Sequence, residues 1–186
     1  RRLRGAASSC QELSFRMPPH QDYVGCAYTC YVVRWTILLC LGLFGIPSVR
    51  AVNSVTGNQA VVAGGDLNTA AGDYSSVLGG YLNTAQWLYD SIQGGYGNTA
   101  NAYAGAIGGG RYNYMDIAYA TIGGGRINTA TGFASVIAGG QYNFAEDSHS
   151  SVCGGTGNTA RGMYSTVVGG NSNTAKGSGS VAMGQL

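Results

Sequence analysis

The sequence predicts an all-β protein built as a parallel β-solenoid, or β-roll, of about nine coils. Three observations carry that expectation. Paired glycines fall at 64–65, 79–80, 94–95, 109–110, 124–125, 139–140, 154–155 and 169–170, a spacing of 15 without an insertion. Asn keeps one place in every copy: Asn68, Asn83, Asn98, Asn113, Asn128, Asn143, Asn158 and Asn173. Between these landmarks small and aliphatic residues alternate, as in Asn68, Ala70, Gly72 and again in Ser75, Val77, Gly79. A period of two places alternate residues on one face of a strand.

Composition narrows the alternatives. Of 186 residues 32 are Gly and only 3 are Pro. Without a G-X-Y period or abundant proline, collagen is excluded. Thirteen Tyr and 45% apolar residues exclude simple disorder. Helix is excluded across the repeats, because each interior Gly costs about 1 kcal/mol against Ala. No stretch reaches the roughly 20 apolar residues of a membrane span.

The chain divides at residue 51. Residues 1–51 hold six Arg against Glu12 and Asp22, with four of the five Cys and all the Pro. This part reads as a leader. Trp35–Ile46 is apolar, Arg34 precedes it, Pro47 ends it, and Val49 and Ala51 are small residues at the spacing of a secretory cleavage site. Met17 is expected to be the true start and residues 1–16 untranslated. Cleavage after Ala51 would leave residues 52–186 as the repeat domain, with Cys153 its sole cysteine, so no internal disulfide is expected. The protein is expected outside the cell or on its surface. The repeat domain carries Arg111, Arg126, Arg161 and Lys176 against six acids. That balance lacks the basic footprint of nucleic-acid binding.

Each unit reads as two short strands and two turns, with the paired glycines supplying positive φ or close approach at a corner. A degenerate copy with Asn53, Val55, Gly57, Ala60, Val62 and Gly64 precedes the first full one. A single unit cannot close a sheet, so coils must stack about 4.8 Å apart and pair backbone groups with the coils above and below. The Asn residues then form a ladder, each side chain bonding the next. The core of such a coil is thin: Ala in the column of Ala70 and one Val or Ile in the column of Val77. The opposite face of the second strand is partly apolar at Leu78, Val136, Ala138, Cys153, Val168, Val181 and Met183. A strand apolar on both faces is buried on both. We therefore expect this face to pack against other copies in a homo-oligomer.

The closing unit, Asn173-Thr-Ala-Lys-Gly-Ser-Gly-Ser-Val-Ala-Met-Gly184, resembles the head repeat of YadA-like trimeric autotransporter adhesins. Ser75-Ser-Val-Leu-Gly79 and Ser165-Thr-Val-Val-Gly169 are weaker versions. The likeness covers about residues 53–186, with a longer unit than in those heads. It implies a left-handed parallel β-roll, a homotrimer and a cell-surface adhesive role.

No catalytic or cofactor pattern is found. His149 and Cys153 are four apart near Asp147, yet His149 shares its column with tyrosines and is read as one more surface ring. The acids occupy unrelated columns, unlike calcium-binding repeats. The glycine runs at 108–110 and 123–125 lack a following Lys-Ser/Thr and so are not phosphate loops. The expectation is a protein without metal, cofactor or enzymatic activity. Two rows are the candidate binding surface for an extracellular protein or glycan: Thr69, Thr84, Thr99, Thr129, Thr159 and Thr174, and the rings Tyr74, Tyr89, Tyr119 and Tyr164. Tyr81, Tyr96, Tyr112 and Tyr142 form a further aromatic row. The alternative reading is an ice-binding solenoid that uses the Thr column, which Tyr114 and Phe144 interrupt.

Overall fold

The computed structural model describes residues 52–185, and the expected leader lies outside the described residues. Among them, eighteen strands form two nine-stranded parallel sheets. The first sheet runs from Ser54–Val55 through Thr69–Ala70 and one strand per coil to Thr174–Ala175. The second runs from Val61–Val62 through Ser76–Val77 to Val181–Gln185. Partners are 15 residues apart: Thr69 pairs with Thr84, Ser76 with Ser91, Thr121 with Val136. The chain is thus an all-β parallel solenoid of about nine coils of about 15 residues. The degenerate first copy is a true coil, paired through Ser54 to Thr69 and Val61 to Ser76.

Most strands are only two residues long, shorter than the alternation suggests. Pairing nonetheless continues around the coil. A third ladder of isolated bridges joins Asp66, Tyr81, Tyr96, Arg111, Arg126, Gln141, Thr156 and Asn171. Turn amides also bond along the axis, as Tyr74 N–H does to Asn58 O at 2.8 Å and Leu82 N–H to Asp66 O at 3.2 Å. The backbone is therefore largely satisfied between coils, as buried peptide groups require.

The corners differ from expectation in which residues take positive φ. Only the second glycine of each pair does so in every coil, at φ from +76° to +102°. A Cβ on Gly110 would run into the carbonyl of Gly125 and meet Asn113 Nδ2 at 2.8 Å, so no other residue fits there. The first glycine has open space around it at positions 64, 79, 124 and 139, and sterics do not demand it. Two further columns adopt left-handed φ with ordinary side chains: Leu67, Leu82, Tyr112, Ile127 and Tyr142 in one, Tyr74, Tyr89, Tyr119, His149 and Tyr164 in the other. The Tyr row therefore sits on turns, not strands. Such residues cost about 1–2 kcal/mol each, which axial hydrogen bonds and side-chain contacts between coils must offset.

The core is a set of straight columns. The Ala column (Ala70 to Ala175, with Met115) and the aliphatic column from Val77 to Val167 are fully buried or nearly so. Isoleucine fills the aliphatic column in the four coils from Ile92 to Ile137, and valine flanks them. Met115 is larger than the Ala it replaces. Gly105 makes room for it: a Cβ there would lie 2.5 Å from Met115 Sδ. A fourth inward column, on the face that the alternation of Ser75 and Val77 assigns, holds Ser75, Asp90, Gly105, Ala120, Ser135, Ser150 and Ser165. The Oγ atoms of Ser75, Ser135, Ser150 and Ser165 are buried without a hydrogen-bond partner. That is an unfavourable state for a hydroxyl.

Candidate binding surfaces

The Asn column runs through the interior beside the glycine corner. Asn68 through Asn158 are buried and Asn173 is half-buried. Its bonding differs from a chain of side-chain amides. In every step the backbone N–H of one Asn donates to Oδ1 of the Asn in the preceding coil, from Asn68 onto Asn53 to Asn173 onto Asn158, at 2.9–3.0 Å. Direct side-chain contact is present only in some steps, as from Asn113 Nδ2 to Asn98 Oδ1 at 3.1 Å. The Nδ2 groups instead tie down glycine carbonyls. Asn113 Nδ2 donates to Gly109 O at 2.9 Å and to Gly125 O at 3.1 Å. Asn thus supplies an acceptor for a buried Asn N–H that has no backbone partner, and donors to the glycine carbonyls of the corner, which explains why the residue recurs.

The Thr row lies on the outer face of the first sheet. Thr69, Thr84, Thr99, Thr129 and Thr159 are half-buried, Thr174 is exposed, and Tyr114 and Phe144 project where Thr is missing. The adjacent column on this face carries a charge in four coils, at Asp116, Glu146, Arg161 and Lys176. Arg161 Nε donates to Glu146 Oε2 at 2.7 Å across one coil step. This hydrogen bond holds the Glu146 carboxyl below its usual range. Tyr114 donates to Asp116 at 3.4 Å. The face is therefore corrugated, with large rings and ion-paired side chains beside the Thr row.

The aromatic corner is more continuous than the four-tyrosine row suggests. Where the Tyr74 column has Ala104 or Ala134, the preceding residue supplies a ring, Tyr103 or Phe133. The result is one ring per coil over seven successive coils: Tyr74, Tyr89, Tyr103, Tyr119, Phe133, His149 and Tyr164. Centroids are 5.0–6.0 Å apart. Tyr74–Tyr89 and His149–Tyr164 are stacked and the others meet edge to face. Each such contact is worth about 0.5–1.5 kcal/mol. The six rings besides His149 are 42–59% exposed, so their mutual packing leaves much of each ring in solvent. Reading neighbouring columns together would have found Tyr103 and Phe133 in the sequence.

The other corner, after the glycines, holds Tyr81 stacked on Tyr96 at 5.5 Å and Tyr112 edge-on to Tyr96 at 5.2 Å. Arg111 and Arg126, which no motif marks in the sequence, lie among these rings. Tyr112 is held below the usual phenol range by its hydrogen bond with Tyr96 and by the Arg111 guanidinium. The outer face of the second sheet exposes Leu78, Val136, Val168, Val181 and Met183. Its middle coils are lined by small residues, including Ser91, Ala106, Gly108 and Gly123. Cys153 is exposed on this face as a free thiol. The His149 ring is engaged with Tyr164 and Phe133.

One carboxylate is inside. Asp90 is 0% exposed and accepts from the backbone N–H groups of Trp87, Ala102 and Gly105 at 2.9–3.1 Å. Burial outweighs these donors and holds its carboxyl above the ordinary 3.8. Among the described residues no group of three or more His, Cys, Asp or Glu is placed to hold a metal ion. No described helix is long and apolar enough to cross a membrane. No protein-family model matches the chain, and the search of curated proteins finds no match.

Proposed function

We propose that the solenoid is an adhesin-like module, secreted or held at a cell surface, that binds or builds extracellular material without catalysing a reaction. The observation that carries this reading is the half-exposed row of rings kept through seven coils by switching between adjacent columns. A polymer lying along the solenoid axis would meet a repeated aromatic edge. Aromatic side chains offer large contact area at small entropic cost. The resemblance of the closing unit to adhesin head repeats points the same way.

The same reading includes self-association, as a trimer by that resemblance. The exposed apolar side chains on the outer face of the second sheet support it, since a second sheet face would cover them as a neighbouring layer does in a sandwich. The test is binding of the full chain to arrays of glycans and matrix proteins, with Tyr89→Ala/Tyr119→Ala/Tyr164→Ala alongside. Loss of a wild-type signal in the triple variant is the expected result. Wild-type protein that binds nothing on the arrays would leave a structural role in its place.

A further inference from the structure

Arg111 and Arg126 stand in the same column of successive coils, as one bridge of the third ladder. Equal charges opposite one another on a ladder repel. Neither guanidinium is paired with a carboxylate among the described residues, whereas Arg161 is paired with Glu146. Both rest on tyrosine instead. Arg111 Cζ lies 5.4 Å from the Tyr96 ring and 5.2 Å from the Tyr112 ring. Arg126 Cζ lies 5.4 Å from the Tyr142 ring and its Nη2 donates to the Tyr142 hydroxyl at 2.9 Å. The rings hold the two planar groups in place and consume few of their N–H donors, of which each guanidinium has five. Both arginines are exposed.

A second feature falls in the same two coils. Each arginine follows three glycines, Gly108–Gly110 and Gly123–Gly125. The column of Gly108 and Gly123 bears a side chain in every other coil, such as Leu78, Gln93, Ala138 and Val168. A Cβ on Gly108 would run into the carbonyl of Gly123, and one on Gly123 into the carbonyl of Ala138. The backbone there follows a path open to glycine alone. It leaves a shelf without side chains beside the paired guanidiniums. Around them, no Asp or Glu stands in either corner column between Tyr81 and Ser172.

We propose that Arg111 and Arg126, with the glycine shelf beside them, bind the sulfate or carboxylate groups of an anionic polysaccharide. Guanidinium forks match the planar, bidentate geometry of such oxyanions. The shelf is open and runs across coils, which suits an extended chain; a small molecule would need a concave pocket. Tyr81 and Tyr142 flank the pair along the same corner and offer ring contacts to the sugars. Nucleic acid fits less well, since the repeat domain carries more acids than bases and the broad basic footprint it needs is missing. This site is separate from the ring row of the adhesive reading, but Gly108 and Gly123 lie on the second-sheet face that self-association would cover, so binding requires these two coils to stay uncovered.

The test measures binding of the full chain to immobilised dextran sulfate and polygalacturonate, with unmodified dextran and single-stranded poly(dT) as comparators. Wild type should bind at least one anionic polysaccharide, neutral dextran far less, and poly(dT) more weakly. Arg111→Gln/Arg126→Gln should lower affinity at least about tenfold, which corresponds to about 1.4 kcal/mol. Arg161→Gln/Lys176→Gln removes the same formal charge elsewhere and should retain binding. Thermal melts confirm that each variant is folded. Equal loss in both double variants, equal binding to neutral dextran or to poly(dT), or no binding to either anionic polymer would overturn the proposal. Loss only in the Tyr89/Tyr119/Tyr164 variant would overturn it too, while leaving the adhesive reading intact. Binding to dextran sulfate with no signal on the matrix arrays would sink the adhesive reading alone.

Discussion

Replacing Asn113 with Ala tests the interior ladder at its middle. The side chain accepts from Asn128 N–H at 3.0 Å. It donates to Asn98 Oδ1, Gly109 O and Gly125 O at 2.9–3.1 Å. Gly125 O keeps a second donor, Arg111 N–H at 2.8 Å. Asn128 N–H has no such reserve and is left buried and unpaired in Asn113→Ala. An orphaned buried group costs about 1–3 kcal/mol, and each lost neutral bond about 0.5–1.5 kcal/mol more. A total near 3 kcal/mol follows, which for a domain of this size lowers Tm by about 10 °C. Thermal denaturation followed by circular dichroism measures it. Two controls sharpen the result. Asn113→Asp keeps the acceptor but turns an oxygen toward two carbonyls, so it should be no better than Ala. Asn173→Ala, at a half-buried rung, should cost less. A shift below about 2 °C for Asn113→Ala would refute the argument that this rung holds the corner.

Four other outcomes are expected. Ser135→Ala should leave Tm unchanged or raise it, because the buried hydroxyl has no partner and Ala120 already occupies that column; a clear drop in a calorimetric scan would show that the hydroxyl is bonded. Gly105→Ala should destabilise by about 1–3 kcal/mol through overpacking on Met115, and Met115→Ala should relieve most of it in the double variant, as read from urea titrations. Asp90 has a folded-state pKa raised by burial, so its stabilising contribution is full below the ordinary 3.8 and is lost as pH rises through the raised value; wild type should lose Tm relative to Asp90→Asn as pH rises along that window, and a pH-independent difference would contradict it. The full chain should show no thermal hysteresis, since Tyr114 and Phe144 break the Thr row and an ion pair lies beside it; measurable hysteresis would favour the ice-binding alternative.

The fold was legible because the repeat is uninterrupted. A spacing of 15 held through eight glycine pairs leaves each residue type in one column, and stacking copies in register is the arrangement that pairs the backbone of so short a unit. The parallel pairing, the coil count and the aliphatic and Ala columns followed from that rhythm. Details of the corners were not legible. Alternation around Ser75 and Val77 suggested longer strands, yet pairing defined by Cα register lasts two residues in most coils. The Tyr74 column is a turn with left-handed φ, which the sequence does not mark, because Tyr carries no local sign of that conformation as Gly does. Of the candidate surface, the Tyr and Thr rows were visible as columns. Tyr103 and Phe133 were hidden one column away, and Arg111 and Arg126 were hidden because their meaning lies in proximity to rings of the neighbouring coils, Tyr96 and Tyr142, as well as to the adjacent Tyr112.

By itself the sequence determined the period, and the period determines which residues share a column, since translation by one coil maps each position onto its copy. Only the tertiary structure decided what neighbouring columns do for each other. It decided that Asn serves the backbone of the next coil through Oδ1, that Met115 occupies room left by Gly105, and that rings from two columns merge into one row. These are contacts across columns, and their geometry depends on the turn angle between strands, a quantity that a one-dimensional repeat does not contain.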